Sequence, residues 1–341
     1  EDSSGPDVVD ECDICGGDNS SCADCAGTPN GDAVEDCAGE CGGTSELDEC
    51  NVCGGDNSSC ADCAGTPNGN AVEDNFGICD GDSTLQGAID NSEEGSTITV
   101  PDGAYYESLS ISKSINLICD GECIIDASGS SHAILINEVD GVSIAGFEII
   151  GDDYTVAGVQ IANSTNISIL DNEIHGMKLP NPGNISPASY GVLIYGGSLD
   201  SPSNIVVDGN EIYDINLFGI SLSGEVSGVM IQNNTIRDLQ TLSVNPLQFA
   251  ADALGLSELD VDWWESALDG TGISVEDEQN VSVGIFASGV GFGSYNNIFE
   301  NISFGVSSSL CLGEMDNNTF NNVPVYALDV SPADIGGLFN V

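Results

Sequence analysis

The residues in this sequence that can do chemistry are cysteines, carboxylates and a handful of bases. The chain holds 14 Cys, 56 Asp+Glu, 3 Lys+Arg and 2 His in 341 residues, for a formal net charge of −53. Eleven of the cysteines precede residue 80. Four Cys-x-x-Cys pairs (Cys12/Cys15, Cys22/Cys25, Cys50/Cys53 and Cys60/Cys63) have a spacing that zinc can use. In a short, core-poor segment the same thiols serve better as disulfides. That is the expectation for Cys12, Cys15, Cys22, Cys25, Cys37, Cys41, Cys50, Cys53, Cys60, Cys63, Cys79, Cys119, Cys123 and Cys311. Cys119 and Cys123 flank a tight Asp-Gly-Glu turn and pair with each other in this reading. Cys37 aligns with Asn75 in the second copy of a repeat, so Cys79 becomes an odd thiol. It is left to pair with Cys311 within or between molecules.

Carboxylates offer two further chemistries. Asp10, Asp18, Asp32, Asp36, Asp48, Asp56 and Asp74 alternate with Gly and Asn in short loops, as Ca²⁺ requires, although no EF-hand spacing is present. Ca²⁺ is therefore the expected ion, with plain solvated turns as the alternative. Asp152-Asp153 could form an acid/base pair, a loop ion site or a solvated turn. The bases are few: Lys113, Lys178 and Arg237, with His132 and His175.

The charge balance excludes whole classes of partner. A surface this acidic repels nucleic acid and anionic membranes. No apolar run of about 18 residues exists to span a bilayer. With so few internal cations, the chain must take counter-ions from outside, as concentrated salt or bound Ca²⁺. The cysteine density points to an oxidising compartment, and the chain reads as a mature, secreted or cell-surface form. Nine Asn-x-Ser/Thr sequons occur; those at Asn163, Asn166, Asn184, Asn280 and Asn301 are the glycan candidates, while Asn233 and Asn317 are expected to be partly buried.

Two segments must position these groups. Residues 10–36 and 48–74 are nearly the same text offset by 38, with Asp10-Glu11-Cys12-Asp13-Ile14-Cys15-Gly16-Gly17-Asp18 matched by Asp48-Glu49-Cys50-Asn51-Val52-Cys53-Gly54-Gly55-Asp56. The phrase resembles the Cys-Gly-Gly-Asp repeats of large secreted proteins of marine microbes. That resemblance implies an extracellular spacer or docking module over 1–82, with no catalytic residues.

From residue 83 onward another phrase returns: Asp171-Asn172-Glu173-Ile174, Gly209-Asn210-Glu211-Ile212, Asn233-Asn234-Thr235-Ile236, Asn296-Asn297-Ile298-Phe299 and Asn317-Asn318-Thr319-Phe320. Its asparagines lie 38, 24, 63 and 21 residues apart. Coils of roughly 20–25 residues, some carrying insertions, account for these gaps. Asn suits the position because it tolerates a left-handed turn and because stacked amides hydrogen-bond to one another. Leu85–Ile89 reads as a short helix, followed by Gly95-Ser96-Thr97-Ile98-Thr99-Val100 and the period-two run Leu109–Ile118.

This passage resembles the first coils of right-handed parallel β-helix proteins of the pectate-lyase-like superfamily. The expected class is all-β: a right-handed parallel β-helix, 83–341, preceded by a small disulfide-rich, loop-rich module, 1–82. Lyases of that group use a Lys or Arg base with carboxylate-held Ca²⁺, and its galacturonan hydrolases use Gly-His-Gly with Arg-x-Lys. Neither His here is flanked by glycines on both sides, and a structural role suits Arg237 better. Residues 176–203 read as a loop. A helical insertion at about 241–279 holds Trp263 and Trp264, which either fold back on the solenoid or form an interface with another subunit.

The functional expectation is a secreted structural protein, a subunit of an extracellular filament, sheath or surface layer with Ca²⁺-dependent stability. Its partner would be further copies of itself, head-to-tail or lateral, through an uncapped C-terminal coil among other contacts. The alternative is a carbohydrate-binding adhesin, or a polysaccharide lyase or hydrolase, meeting surface glycans on the solenoid.

Overall fold

A computed structural model describes residues 8–81, 83–178, 188–196, 202–244, 279–288, 290–309 and 312–330. The expected helical insertion with Trp263 and Trp264, the thiol Cys311, the sequon at Asn184 and the chain beyond residue 330 lie outside these residues. The chain divides into two units, Glu1–Gly81 and Asp82–Val341. Among the described residues, no helix is long and apolar enough to cross a membrane.

In the first unit the 38-residue repeat resolves into smaller turns, each begun by one aspartate: Asp10, Asp24, Asp36, Asp48, Asp62 and Asp74. Oδ1 of each accepts the backbone N–H groups two and four residues on, at 2.8–3.0 Å. In the first five, Oδ2 also accepts the N–H nine residues on, at 2.9–3.1 Å. Seven residues after each aspartate stands a glycine, from Gly17 to Gly81, where a Cβ would fall 1.9–2.1 Å from that carboxylate. No described residue of this unit is buried. Staples and charge-assisted hydrogen bonds do the work of a core, as chains too small to bury much surface require.

The staples follow one rule. A cysteine one residue after its aspartate joins a cysteine five residues after the next aspartate: Cys25–Cys41, Cys37–Cys53 and Cys63–Cys79. Cys12–Cys22 and Cys50–Cys60 are shorter closures. This corrects the expected Cys79–Cys311 pair, because Cys79 is bonded to Cys63. Cys15, expected in a disulfide, is free and exposed. Bonds cross from turn to turn, so Asn75 marks the last turn instead of orphaning Cys79. Cys119–Cys123 forms as expected.

The second unit begins with the helix Leu85–Asn91, which buries Leu85, Ala88 and Ile89 against the strands Ser96–Tyr105 and Leu109–Ile111. Both helix ends are capped from elsewhere in the coil. Thr84 accepts the Gly87 N–H and the Glu107 carboxylate accepts those of Leu85 and Gln86. Lys113 Nζ donates to the Asp90 and Ser92 carbonyls at the other end.

The coils then stack as two parallel sheets, one of 13 strands and one of eight. In the larger, Asp140–Ile150 runs unbroken and pairs with both Thr165–Leu170 and Glu173–His175. From there on a bend at the asparagine phrase splits each strand in two. The eight-stranded sheet stacks like on like: Ile111, Ile136, Ile161, Ile194, Leu222 and Ala287 form one fully buried column. Each buried aliphatic stabilises by about 1.5–3 kcal/mol relative to exposure.

A glycine seam lets the sheets close on each other. A Cβ at Gly158, Gly191, Gly219 or Gly284 would come within 2.6–2.8 Å of both the next glycine's carbonyl and a side chain opposite, Ile174, Ile212, Ile236 or Phe299 respectively.

The bend itself is held by asparagines. Asn172, Asn210, Asn234 and Asn297 are at most 2% exposed. Each side-chain N–H donates to the Oδ1 of the next, ending at Asn318, at 2.9–3.1 Å. That oxygen also accepts the backbone N–H of the preceding rung, at 2.9–3.0 Å. The left-handed conformation falls one residue earlier than expected, at Asp171, Gly209, Asn233, Asn296 and Asn317. That frees the aligned asparagine to turn inward, and it leaves Asn233 and Asn317 exposed, not partly buried.

Two measurements check this fold. Asn234→Ala is expected to cost about 2 kcal/mol or more in urea unfolding, because it orphans buried groups on both neighbouring rungs. Backbone donors hold the carboxyls of Asp10, Asp24, Asp36, Asp48 and Asp62 below the usual range, the amide four residues on being the main cause. A depressed carboxylate stabilises above its unfolded value and ceases to do so as pH falls through the folded one. Amide-exchange protection in residues 8–81, measured relative to the intrinsic rate at each pH, should therefore fall progressively below about pH 4.

Candidate functional site

Strand alternation and rung register carry the polar residues that follow each ladder asparagine onto one outward face. Glu148, Glu173 and Glu211 pair in register, as do Ile150, His175, Tyr213 and Arg237 in the adjacent column. The side chains interlock. His175 Nε2 lies 3.0 Å from Glu148 Oε1. Its ring stacks on Tyr213, centroids 4.7 Å apart. The Tyr213 hydroxyl donates to Glu173 at 2.5 Å, and burial, followed by that carboxylate, pushes the phenol well above its ordinary range. Arg237 covers the other face of the ring at 4.2 Å and binds Glu211 at 2.6 Å and Asp238 at 3.1 Å.

The remaining cations are similarly engaged. Lys178 lies 2.5 Å from Asp214. Lys113 caps the helix as described, and the His132 ring, which burial makes harder to protonate, sits 3.0 Å from the Ser131 hydroxyl. Asp152 is a turn residue: its carboxylate accepts from the N–H groups of Tyr154 and Gly129 and from the Thr155 hydroxyl.

The acidic turns of the first unit use most of the suggested ion ligands locally. Asp10, Asp36, Asp48 and Asp74 hold their own turns together. Asp18 accepts from the Ser20 hydroxyl and Asp56 from the Ser58 amide; the serine hydroxyl contact is the main cause lowering both carboxyls. Asp32 is exposed. Of the sequons, Asn166 and Asn301 donate their side-chain N–H groups to Asp140 and Asp238. Asn163 is half-buried and Asn280 lies in the short strand Gln279–Val281.

A second surface feature lies on the strands before the bend. A shallow depression of about 510 Å³ is lined by Met230, Phe292, Tyr295 and Glu314, with Gly228, Gly291 and Gly293 among its walls. The Tyr295 ring folds over Gly293, where a Cβ would sit 2.4 Å from it, and its hydroxyl donates to Glu314 at 3.1 Å.

Of this face the sequence singles out only His175 and Arg237, as isolated bases, and does not bring them together with Glu148, Glu173, Glu211 and Tyr213. The signal existed: Asn172-Glu173-Ile174-His175, Asn210-Glu211-Ile212-Tyr213 and Asn234-Thr235-Ile236-Arg237 vary only at the positions that point outward. Arg237→Met is expected to cost about 1 kcal/mol in unfolding free energy, more at low salt than high, because Tyr213 loses a cation and Glu211 its partner.

Comparison with known proteins follows the architecture. A search of curated proteins found no match. Among solved structures, an alginate lyase from Paenibacillus sp. str. FPU-7 is similar at 12% identity and a TM-score of 0.37, over 76% of this chain and 94% of that one. Pectate lyase Pel9A is similar at 11% and 0.34, over 70% and 71%. The surface adhesin PfbA of Streptococcus pneumoniae is similar at 12% and 0.31, over 79% and 94%. At these scores they say nothing of this chain's chemistry. The model of the right handed beta helix region matches residues 122–333, well over half of the sequence, and the chain belongs to that family.

Proposed function

We propose that this chain is an extracellular structural protein, a subunit of a filament, sheath or surface layer whose stability depends on Ca²⁺. The observation that carries the reading is the fate of its bases. Lys113, Lys178, Arg237 and His175 are each engaged by a partner within the solenoid. A nitrogen base that is to reach a substrate proton must be free of such partners, and these four are not. The outward positions Leu135, Gln160, Leu193, Ser221 and Phe286 of the smaller sheet offer no titratable set either.

The disulfide-stapled unit supports the same reading. Its architecture resists unfolding without a core, which suits a spacer exposed to an oxidising exterior. The net charge of −53 makes external cations necessary wherever two such surfaces meet. Ca²⁺ is the natural one, since exposed carboxylates and turn carbonyls are hard oxygen ligands.

A second reading, a glycan-binding adhesin, is favoured by the depression at Tyr295 and Glu314. There an aromatic ring lies beside a carboxylate and a hydroxyl, the mixture of apolar surface and fixed polar groups that small-ligand sites use. An anionic polysaccharide would have to overcome the chain's own charge, so neutral glycans are the better candidates.

Negative-stain electron microscopy in seawater-like salt with Ca²⁺, and again after chelation, separates the two. Regular fibres or sheets that disperse on chelation are expected. Single particles in both conditions, with glycan-array binding lost in Tyr295→Ala, would replace the structural reading with the adhesin.

A further inference from the structure

We propose that Glu148, Glu173 and His175 bind a divalent cation of the zinc class, a role separate from any Ca²⁺ at the surface. Glu148 and Glu173 stand directly in register on neighbouring rungs, and His175 lies two residues beyond Glu173 on the same outward face. One donor atom from each residue lies within 4.8 Å of the other two. Zinc holds imidazole and carboxylate ligands at about 2.0–2.2 Å, which in a tetrahedral shell puts neighbouring ligand atoms roughly 3.5 Å apart. Closing that difference asks for rotation of the two glutamate side chains, on rungs that the asparagine ladder holds in register.

The donor set selects the metal. Two carboxylates and one imidazole match zinc and its neighbours, whereas Ca²⁺ takes six to eight oxygens and gains little from a nitrogen. The cations nearby are engaged elsewhere: Arg237 is committed to Glu211 and Asp238, and Lys178 to Asp214. Among the described residues, the two stacked carboxylates are met by the His175 ring and the Tyr213 hydroxyl. An ion would take the place of the hydrogen bond between His175 Nε2 and Glu148.

The imidazole plane and one outer contact are already set. Stacking on Tyr213, with the rings 10° from parallel, fixes the His175 plane. The Tyr213 hydroxyl holds one oxygen of Glu173, the outer contact that metal-binding carboxylates ordinarily have. The bound ion would join two successive coils on the side away from the glycine seam.

The experiment is equilibrium dialysis of the oxidised full chain against Zn²⁺, in high NaCl with excess Ca²⁺ to occupy non-specific carboxylates. One Zn²⁺ retained per chain is expected. Affinity should fall roughly tenfold or more in Glu173→Gln and His175→Ala, and about tenfold in Tyr213→Phe, which removes only the outer contact. Equal retention by wild type and His175→Ala, or no retained ion in the wild type, would overturn the proposal. X-ray absorption of the zinc-loaded wild type keeps the test decisive if a variant misfolds: one imidazole nitrogen with oxygens is expected, and an all-oxygen shell would refute the site.

Discussion

Everything in the solenoid depends on a buried side-chain amide that must satisfy two donors and one acceptor without water. Asn210, Asn234 and Asn297 each receive a side-chain and a backbone N–H through one oxygen and pass their own N–H groups onward. A second N–H bond, to a carbonyl such as Ile169 O or Val207 O, anchors the amide to the strand before the bend. An amide buried this deeply costs several kcal/mol if left unpaired, so the ladder tolerates neither a slipped rung nor a missing one. That constraint sets the register of both flanking columns. It puts Ile149, Ile174, Ile212 and Ile236 in one inward line and the Glu and His–Tyr–Arg columns in two outward lines.

The two units solve the same problem with opposite means. The solenoid buries long aliphatic columns and needs few covalent links. The first unit has no buried residue among those described and relies on disulfides, with one carboxylate serving each of its first five turns as a three-way acceptor. A half-buried Asp is a good choice for that task because its charged form is the better acceptor and it gathers several amides at once. The acidity of this unit is thus partly architectural: a fraction of its carboxylates would be needed even in a protein with no use for cations.

The solenoid was legible because its signal is local. A recurring Asn beside alternating β residues reports a bend wherever the coil lengths fall, and only the residue in the left-handed conformation was misplaced by one. Disulfide connectivity was not legible, since the bonds run between successive turns that a comparison of 38-residue copies treats as one block. Cys37 meets Cys53 across the copy boundary, so matching copy to copy assigned the leftover thiol to the wrong end. The outward face went unread for a related reason. His175 and Tyr213 lie 38 residues apart, Tyr213 and Arg237 only 24, and uneven coil lengths hide their alignment until the asparagines are superposed.

The glycine seam has a consequence for how such a chain can vary. Strand spacing across the seam leaves no room for even a methyl group, so the cross-section there is a fixed gauge through which every coil passes. The long stretches 179–187 and 245–278 both fall, in chain order, between the short strand after the asparagine bend and the next strand of the smaller sheet. In chain order the added length thus falls between strands. A lineage carrying this fold can lengthen, replace or exchange what joins its strands while the gauge, the amide ladder and the columns keep their dimensions, much as a loom changes its pattern without changing its warp.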